Sequence, residues 1–184
     1  MRTLLICILS IVLFSCESYK ELHVSKTEFD TPTSLYPIEF SLKYPSDYID
    51  NTPLSQTGQR QMYAWINRTA EPYDSFSLHE MTRVKNGWPT NDFFTDSKET
   101  FLKNYPTART IGRTTFKLDT LDIEFLHLAY KSSNYDEGHS WGVINLEDRQ
   151  LQIQTIEYLT EINSTEDFLQ TDAKVMLKSL HFEQ

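Results

Sequence analysis

The sequence predicts an α+β domain built on an antiparallel β-sheet of about six to seven strands flanked by helices. Three observations carry this. Ile38, Phe40, Leu42 and Tyr44 alternate with Glu39, Ser41 and Lys43, the period of two that sets one apolar face of a strand against a core. The later strand-like runs are joined by links of hairpin length, and strands joined that tightly pair antiparallel, since a parallel crossover needs a dozen residues or more. Two segments, near 92–104 and after 164, carry apolar residues at helical spacing. Strands and helices in this non-alternating order define the α+β class.

Taken in order, Pro45-Ser46-Asp47-Tyr48 ends the first strand, and the polar run 50–60 reads as a loop. Strands follow at 62–67 and 75–84, then a turn at Asn86-Gly87-Trp88-Pro89. Asn91 is the expected N-cap of a helix over 92–104. Asp92 favours the positive helix start, and Phe94, Lys98, Phe101, Leu102 and Tyr105 lie at helical spacing. The helix ends at Tyr105-Pro106. Arg109 to Leu118 is a strand, Asp119-Thr120-Leu121-Asp122 a tight turn, and Ile123 to Lys131 a strand apolar on both faces, which predicts a central position. Ser132 to Gly138 reads as a polar loop, Ser140 to Leu146 as a strand, Glu147-Asp148-Arg149 as a turn and Leu151 to Leu159 as the last long strand. Ser164 and Asp167 have capping-box spacing, and Leu169, Ala173, Met176 and Leu180 form the stripe of a closing helix.

The N-terminus sets the cellular expectation. Arg2 precedes an apolar stretch from Leu4 to Phe14 that is short for a membrane span, and Ser15 is a small residue suited to a signal-peptidase cut. Leu13-Phe14-Ser15-Cys16 resembles the lipobox of bacterial lipoproteins, with Phe14 departing from the usual residue. The resemblance implies removal of residues 1–15 and lipidation of Cys16; an uncleaved anchor and an ordinary secretory signal are the alternatives. Multiple acyl chains on one residue hold a protein stably on a bilayer. Residues 16–35, polar and without apolar period, read as lipidated Cys and tether, and residues 36–184 as a single domain. Glu17 in place of the Asp of inner-membrane retention favours the outer membrane by analogy. Glu17 to Glu21 loosely resembles the acidic segments of surface-exported Bacteroidetes lipoproteins, and Asp119-Thr120-Leu121 resembles their O-glycosylation sequon, making Thr120 a candidate modification site.

The composition excludes several functions. Cys7 and Cys16 are the only cysteines, so a mature chain of about 169 residues has no thiol for catalysis, metal binding or a disulfide once Cys16 is lipidated. The whole chain has 26 acidic against 17 basic residues and a net charge of −9, which argues against a nucleic-acid partner, because phosphate neutralisation needs clustered Lys and Arg. The five histidines, at 23, 79, 127, 139 and 181, have no metal-ligand spacing, and neither a Gly-x-Ser-x-Gly elbow nor a phosphate-binding Gly loop is present. No cofactor or metal is expected. The best polar cluster is Asp136-Glu137-Gly138-His139, read as a loop that either presents an acid/base pair or cation site or is simply a solvated turn. His79 and His127 lie in predicted strands, where a satisfied sheet histidine is the commoner reading; because His127 shares a face with Ile123, Phe125 and Ala129, burial near a carboxylate is the alternative for it. Trp88 and Tyr135, aromatics in loops, are candidate binding residues for a glycan or peptide.

Phe40-Ser41-Leu42-Lys43-Tyr44-Pro45-Ser46-Asp47-Tyr48, a strand running into an aromatic-Pro-x-x-aromatic corner, and the C-terminal Met176-Leu177-Lys178-Ser179-Leu180-His181-Phe182 resemble the PsbP-like superfamily. Photosystem II extrinsic proteins, a nuclear-import cofactor and many bacterial lipoproteins belong to it. The resemblance, over about residues 36–183, implies an α/β/α sandwich and a binding or assembly-supporting role without catalysis. The expected function is therefore that of a lipid-anchored, non-catalytic envelope protein. Two alternatives are an immunity or inhibitor lipoprotein that neutralises a basic toxin, and an enzyme or cation-binding protein using Asp136, Glu137 and His139.

Overall fold

The structure, a computed structural model, describes residues 19–24, 40–50, 62–67, 69, 71–82, 87–170 and 172–182. The expected signal peptide and Cys16 lie outside the described residues, as does the expected loop apart from residue 50. The strands are β1 (Tyr19–Val24), β2 (Phe40–Pro45), β3 (Tyr48–Asp50), β4 (Met62–Asn67), β5 (Ser75–Thr82), β6 (Arg109–Leu118), β7 (Leu121–Lys131), β8 (Asp136–Asn145), β9 (Gln150–Leu159) and β10 (His181–Phe182). Helix α1 spans Thr90–Asn104, a single 3-10 turn spans Thr165–Asp167, and α2 spans Asp172–Ser179.

Among the described residues every strand pairing is antiparallel. The long sheet has the order β3-β4-β5-β9-β8-β7-β6, and a small sheet has the order β1-β2-β10. One face of the long sheet is closed by β2, β10, α2 and the 162–169 segment, through Phe125, Leu151, Ile153, Met176, Leu177 and their neighbours. The opposite face meets α1, whose Phe93, Phe94 and Phe101 pack with Leu126, Leu128, Trp141 and Val143. The expected α+β architecture is therefore present, with the long sheet between helices on either side.

Period two explains the strands. In β2, Phe40 and Leu42 are buried while Lys43 is exposed, and β9 buries Leu151, Ile153, Thr155 and Glu157 on one face. The two-sided burial of β7 has a different cause from the one expected. β7 is second from the edge, and β9 is the middle strand. It reads as apolar on both faces because Ile123, Phe125 and Ala129 serve one core while Leu126 and Leu128 serve the other.

Several local expectations are corrected. Part of the segment read as tether, Tyr19–Val24, forms β1 along the whole length of β2, from Tyr19 opposite Pro45 to Val24 opposite Phe40; an edge strand needs chiefly backbone partners, which leave no apolar period. Asn91 does not cap α1. Pro89 holds the N-cap position, and the Asn91 side-chain oxygen instead accepts from Arg113 Nη1 at 2.6 Å, tying α1 to β6. The Ser164–Asp167 capping box exists, with Ser164 N donating to Asp167 Oδ2 at 2.8 Å, but it caps the 3-10 turn and not α2. Leu169, at a positive φ of 54°, separates the two. Finally, the loop read over 132–138 shrinks to a tight turn closed by Ser132 N donating to Tyr135 O at 2.9 Å, and Asp136-Glu137-Gly138-His139 belong to β8. Gly138 is no turn glycine. A Cβ there would stand 2.8 Å from both Ile162 and Phe168, so glycine lets the 162–168 segment lie flat on the sheet.

Candidate binding site

Placing Asp136 and Glu137 in a strand sends them to opposite faces. Asp136 turns toward the α2 side and is 1% exposed. Its Oδ2 accepts from Arg109 Nη2 at 2.7 Å and from the Ile162 amide at 3.0 Å, and Arg109 Nη2 also donates to Ile162 O. Burial works to raise the Asp136 carboxyl, but the Arg109 hydrogen bond, the Ile162 amide and the guanidinium charge outweigh it and hold the group below the usual carboxylate range. This arrangement pins the segment after β9 to the sheet.

Glu137 and His139, two residues apart on one strand face, are brought together on the α1 side. Glu137 Oε1 lies 2.6 Å from His139 Nε2, and the side chains are 14% and 8% exposed. The imidazole packs against Phe101 at 4.6 Å and Trp141 at 5.7 Å between ring centroids. Burial lowers the His139 pKa, against the hydrogen bond and charge of Glu137, which raise it. The neutral ring must donate from Nε2 to the carboxylate, which leaves Nδ1 as a bare acceptor, buried and without a hydrogen-bond partner.

The sheet register surrounds Glu137 with tyrosines. Tyr130 on β7 and Tyr158 on β9 stand directly opposite it on either side. Tyr105, at the C-cap of α1, packs on Tyr130 at 4.9 Å, and Tyr135 meets Tyr158 edge-on at 5.2 Å. Burial, with the nearby charges of Glu137, Tyr135 and Tyr130, pushes the Tyr158 hydroxyl up to about 12. It is therefore a neutral hydroxyl at any physiological pH.

Trp88 lies elsewhere on the same side. It is half-buried, edge-on to Phe93 at 5.7 Å, and its carbonyl accepts from Gln150 Nε2 at 2.8 Å. With Trp141, Asp96, Ser97, Thr100 and Asn104 it lines a groove of about 310 Å³ along α1. Thr120 is exposed beside Asp119 in the β6–β7 turn. His127 is fully buried and is a satisfied sheet histidine, with both ring nitrogens held by hydroxyls: Thr114 Oγ1 at 2.7 Å and Ser140 Oγ at 2.8 Å. Its pKa is pushed down to about 4 by burial. The sequence thus marked Glu137, His139 and Tyr135 but missed Tyr130, Tyr158 and Tyr105. The available signal was the register: Tyr130 and Tyr158 sit where two hairpins place them opposite Glu137.

Among the described residues no group of three or more His, Asp or Glu side chains is arranged to hold a metal ion, and no helix is long and apolar enough to cross a membrane. No family model and no curated protein matches the sequence. Solved structures do resemble it. Cyanobacterial PsbP (CyanoP) from Synechocystis superposes with a TM-score of 0.55 at 11% identity, over 92% of this chain and 95% of that one. LpqN of Mycobacterium tuberculosis, involved in cell envelope biogenesis, gives 0.51 at 13% identity over 90% and 92%. A protein of Bacteroides thetaiotaomicron gives 0.46 at 12% identity; the match takes in 79% of this chain but only 45% of that longer protein. The first two likenesses establish the fold as PsbP-like, in agreement with the motifs at Phe40–Tyr48 and Met176–Phe182.

Proposed function

We propose that this protein is a lipid-anchored envelope protein whose PsbP-like domain works by binding, or by supporting an assembly, without catalysis. The observation that carries this reading is the split of the one cluster with catalytic promise. Asp136 is spent on Arg109 and Ile162 on one face of β8, while Glu137 and His139 lie on the other, so the three groups do not converge on one substrate atom as acid/base work requires. LpqN, involved in cell envelope biogenesis and alike in fold, and the lipobox-like Leu13 to Cys16 support the location. The outer membrane is the proposed site of anchoring through Cys16.

Replacing Cys16 by Ala should move the protein from the membrane to the soluble fraction, and intact-mass analysis of the native protein should show an acylated Cys16. An unmodified native protein, or a Cys16→Ala variant that stays in the outer membrane, would refute the anchoring.

A further inference from the structure

A second cavity, of about 250 Å³, lies on the flank of α1 that faces β6. A break in the β6–β7 register shapes it. Thr110 stands opposite Leu128 and Arg113 opposite Leu126, and both leucines belong to the core under α1. Residues directly opposite one another share a sheet face, so Thr110 and Arg113 both lie on the α1 side, although in a regular strand their spacing would send them to opposite faces. The bulge between Thr110 and Gly112 changes the parity: Ile111 packs on the other core, and Arg113 is re-aimed toward α1.

Two contacts hold Arg113 there. Its Nη1 donates to Asn91 Oδ1 at 2.6 Å, and its guanidinium carbon stands 5.0 Å from the centre of the Phe94 ring. Neither contact is a counter-charge. The chain has 26 acidic residues against 17 basic, yet among the described residues no carboxylate lies within ion-pairing distance of Arg113 or of Lys98, the second cation lining the cavity. The remaining guanidinium donors have no protein acceptor among the described residues. A fork fixed in place with its donors unspent is the arrangement that receives a carboxylate.

The lining is graded from apolar to charged. Phe94 and Leu126 are buried and give the cavity an apolar floor, whereas Lys98 is half-buried and Arg113 exposed. Thr95 and Thr110 add hydroxyls able to donate to the same anion. Glu99 is the one carboxylate among the described lining residues, which leaves a single excess positive charge. That balance suits a monoanion and works against a phosphate dianion. At about 30 Å³ for each water-sized group, the space takes about eight non-hydrogen atoms.

The structure assigns this cavity to a small monocarboxylic acid, its carboxylate on Arg113 and Lys98 and its short apolar body on Phe94 and Leu126. The inference rests on the binding reading of this domain and names a ligand class for it.

The test is NMR titration of the full chain with hexanoate, an acid of that size, and in parallel with hexanamide, its neutral counterpart. The backbone amides of Thr95, Gly112 and Arg113 should shift with hexanoate, and hexanoate should bind at least about tenfold more tightly than hexanamide. Arg113→Gln should weaken hexanoate about tenfold, and Lys98→Gln should weaken it less, because an ammonium offers a point charge without the fork. Lys117→Gln, the same loss of charge at an exposed position further along β6, should leave binding unchanged. Equal affinity for acid and amide, tighter binding of inorganic phosphate than of hexanoate, or no amide shift with hexanoate up to about 10 mM overturns the proposal. Each of these outcomes is read on the native chain, whatever the variants do to folding. Undiminished binding by a folded Arg113→Gln variant overturns it as well. Such a failure leaves the anchoring reading intact, because Cys16 localisation is measured separately.

Discussion

The two faces of the long sheet are closed by different chemistry. The α2 face is largely aliphatic and tightly shut: Ile123, Phe125, Leu151, Ile153, Met176 and Leu177 lie in one continuous core with the small sheet. The α1 face is aromatic and partly open. Phe101, Trp141, His139, Tyr105 and Tyr130 form a connected set of rings, Tyr135 and Tyr158 a separate pair, and a groove runs beside α1 between Trp88 and Trp141. The polar groups buried on that face, Asp136, His127 and Glu157, are each held by partners within the fold, so its close packing gives stability but presents nothing to recognise. Half-buried aromatics with a polar handle give contact area and chemistry together, at the cost of an incompletely closed surface.

Cutting into the α2 face is the most severe way to test this contrast. Phe125 is wholly buried, and its ring fills the space a Cβ on Gly142 would occupy. Phe125→Ala should cost about 3–5 kcal/mol in urea unfolding. A loss under about 1 kcal/mol would mean that this face does not carry the stability assigned to it.

The next largest effect should come from Arg109→Met, which leaves Asp136 as a buried charge. Removing one partner of a fully buried pair costs about 3–5 kcal/mol, but the Arg109 side chain is 40% exposed, so about 2 kcal/mol is expected. Asp136→Asn in the same background should recover part of that loss. No recovery would show that Arg109 acts by packing and not by charge.

Acidity probes the seam beneath α2. Burial first, with the charge of Asp74 adding, pushes Glu157 up to about 7, against the hydrogen bonds it accepts from the Leu169 and Gln170 amides. A carboxyl raised on folding contributes stability that is fully present below its ordinary value of 4.5 and is lost as pH rises through about 7. His127 has the opposite sign: its pKa falls on folding from 6.5 to about 4, so its contribution is lost as pH falls through that window. The two slopes oppose each other over most of their range. Glu157→Gln should therefore expose the His127 slope, with stability climbing from pH 4 to 6.5 more steeply than in the native chain. Parallel stability curves for the two proteins would show that Glu157 does not titrate as described.

The smallest effect is expected on the open face. Trp88 is only half-buried, so Trp88→Ala should cost about 1 kcal/mol or less, measured in the same urea assay as Phe125→Ala. A cost matching Phe125→Ala would make the α1 groove part of the core and remove the distinction between the faces.

Sequence alone determined the class and most of the elements. Alternation at Phe40 to Tyr44, short links between later strands and the stripe Ala173, Met176 and Leu180 are local signals, set by which face of each element must leave water, and the structure places strands and helix there. The reading failed where meaning depended on a distant partner. Asp136 to His139 is as polar as a turn, and only Arg109, Ile162 and the close approach of Phe168 to Gly138 make it a strand. Asn91 has the chemistry of a helix cap, but Arg113, 22 residues away, claims its oxygen. The tyrosines around Glu137 come from β7, β9, α1 and the turn before β8. Their convergence is a property of strand register and helix placement, because side chains far apart in a chain meet only when the sheet has fixed which residues stand opposite each other.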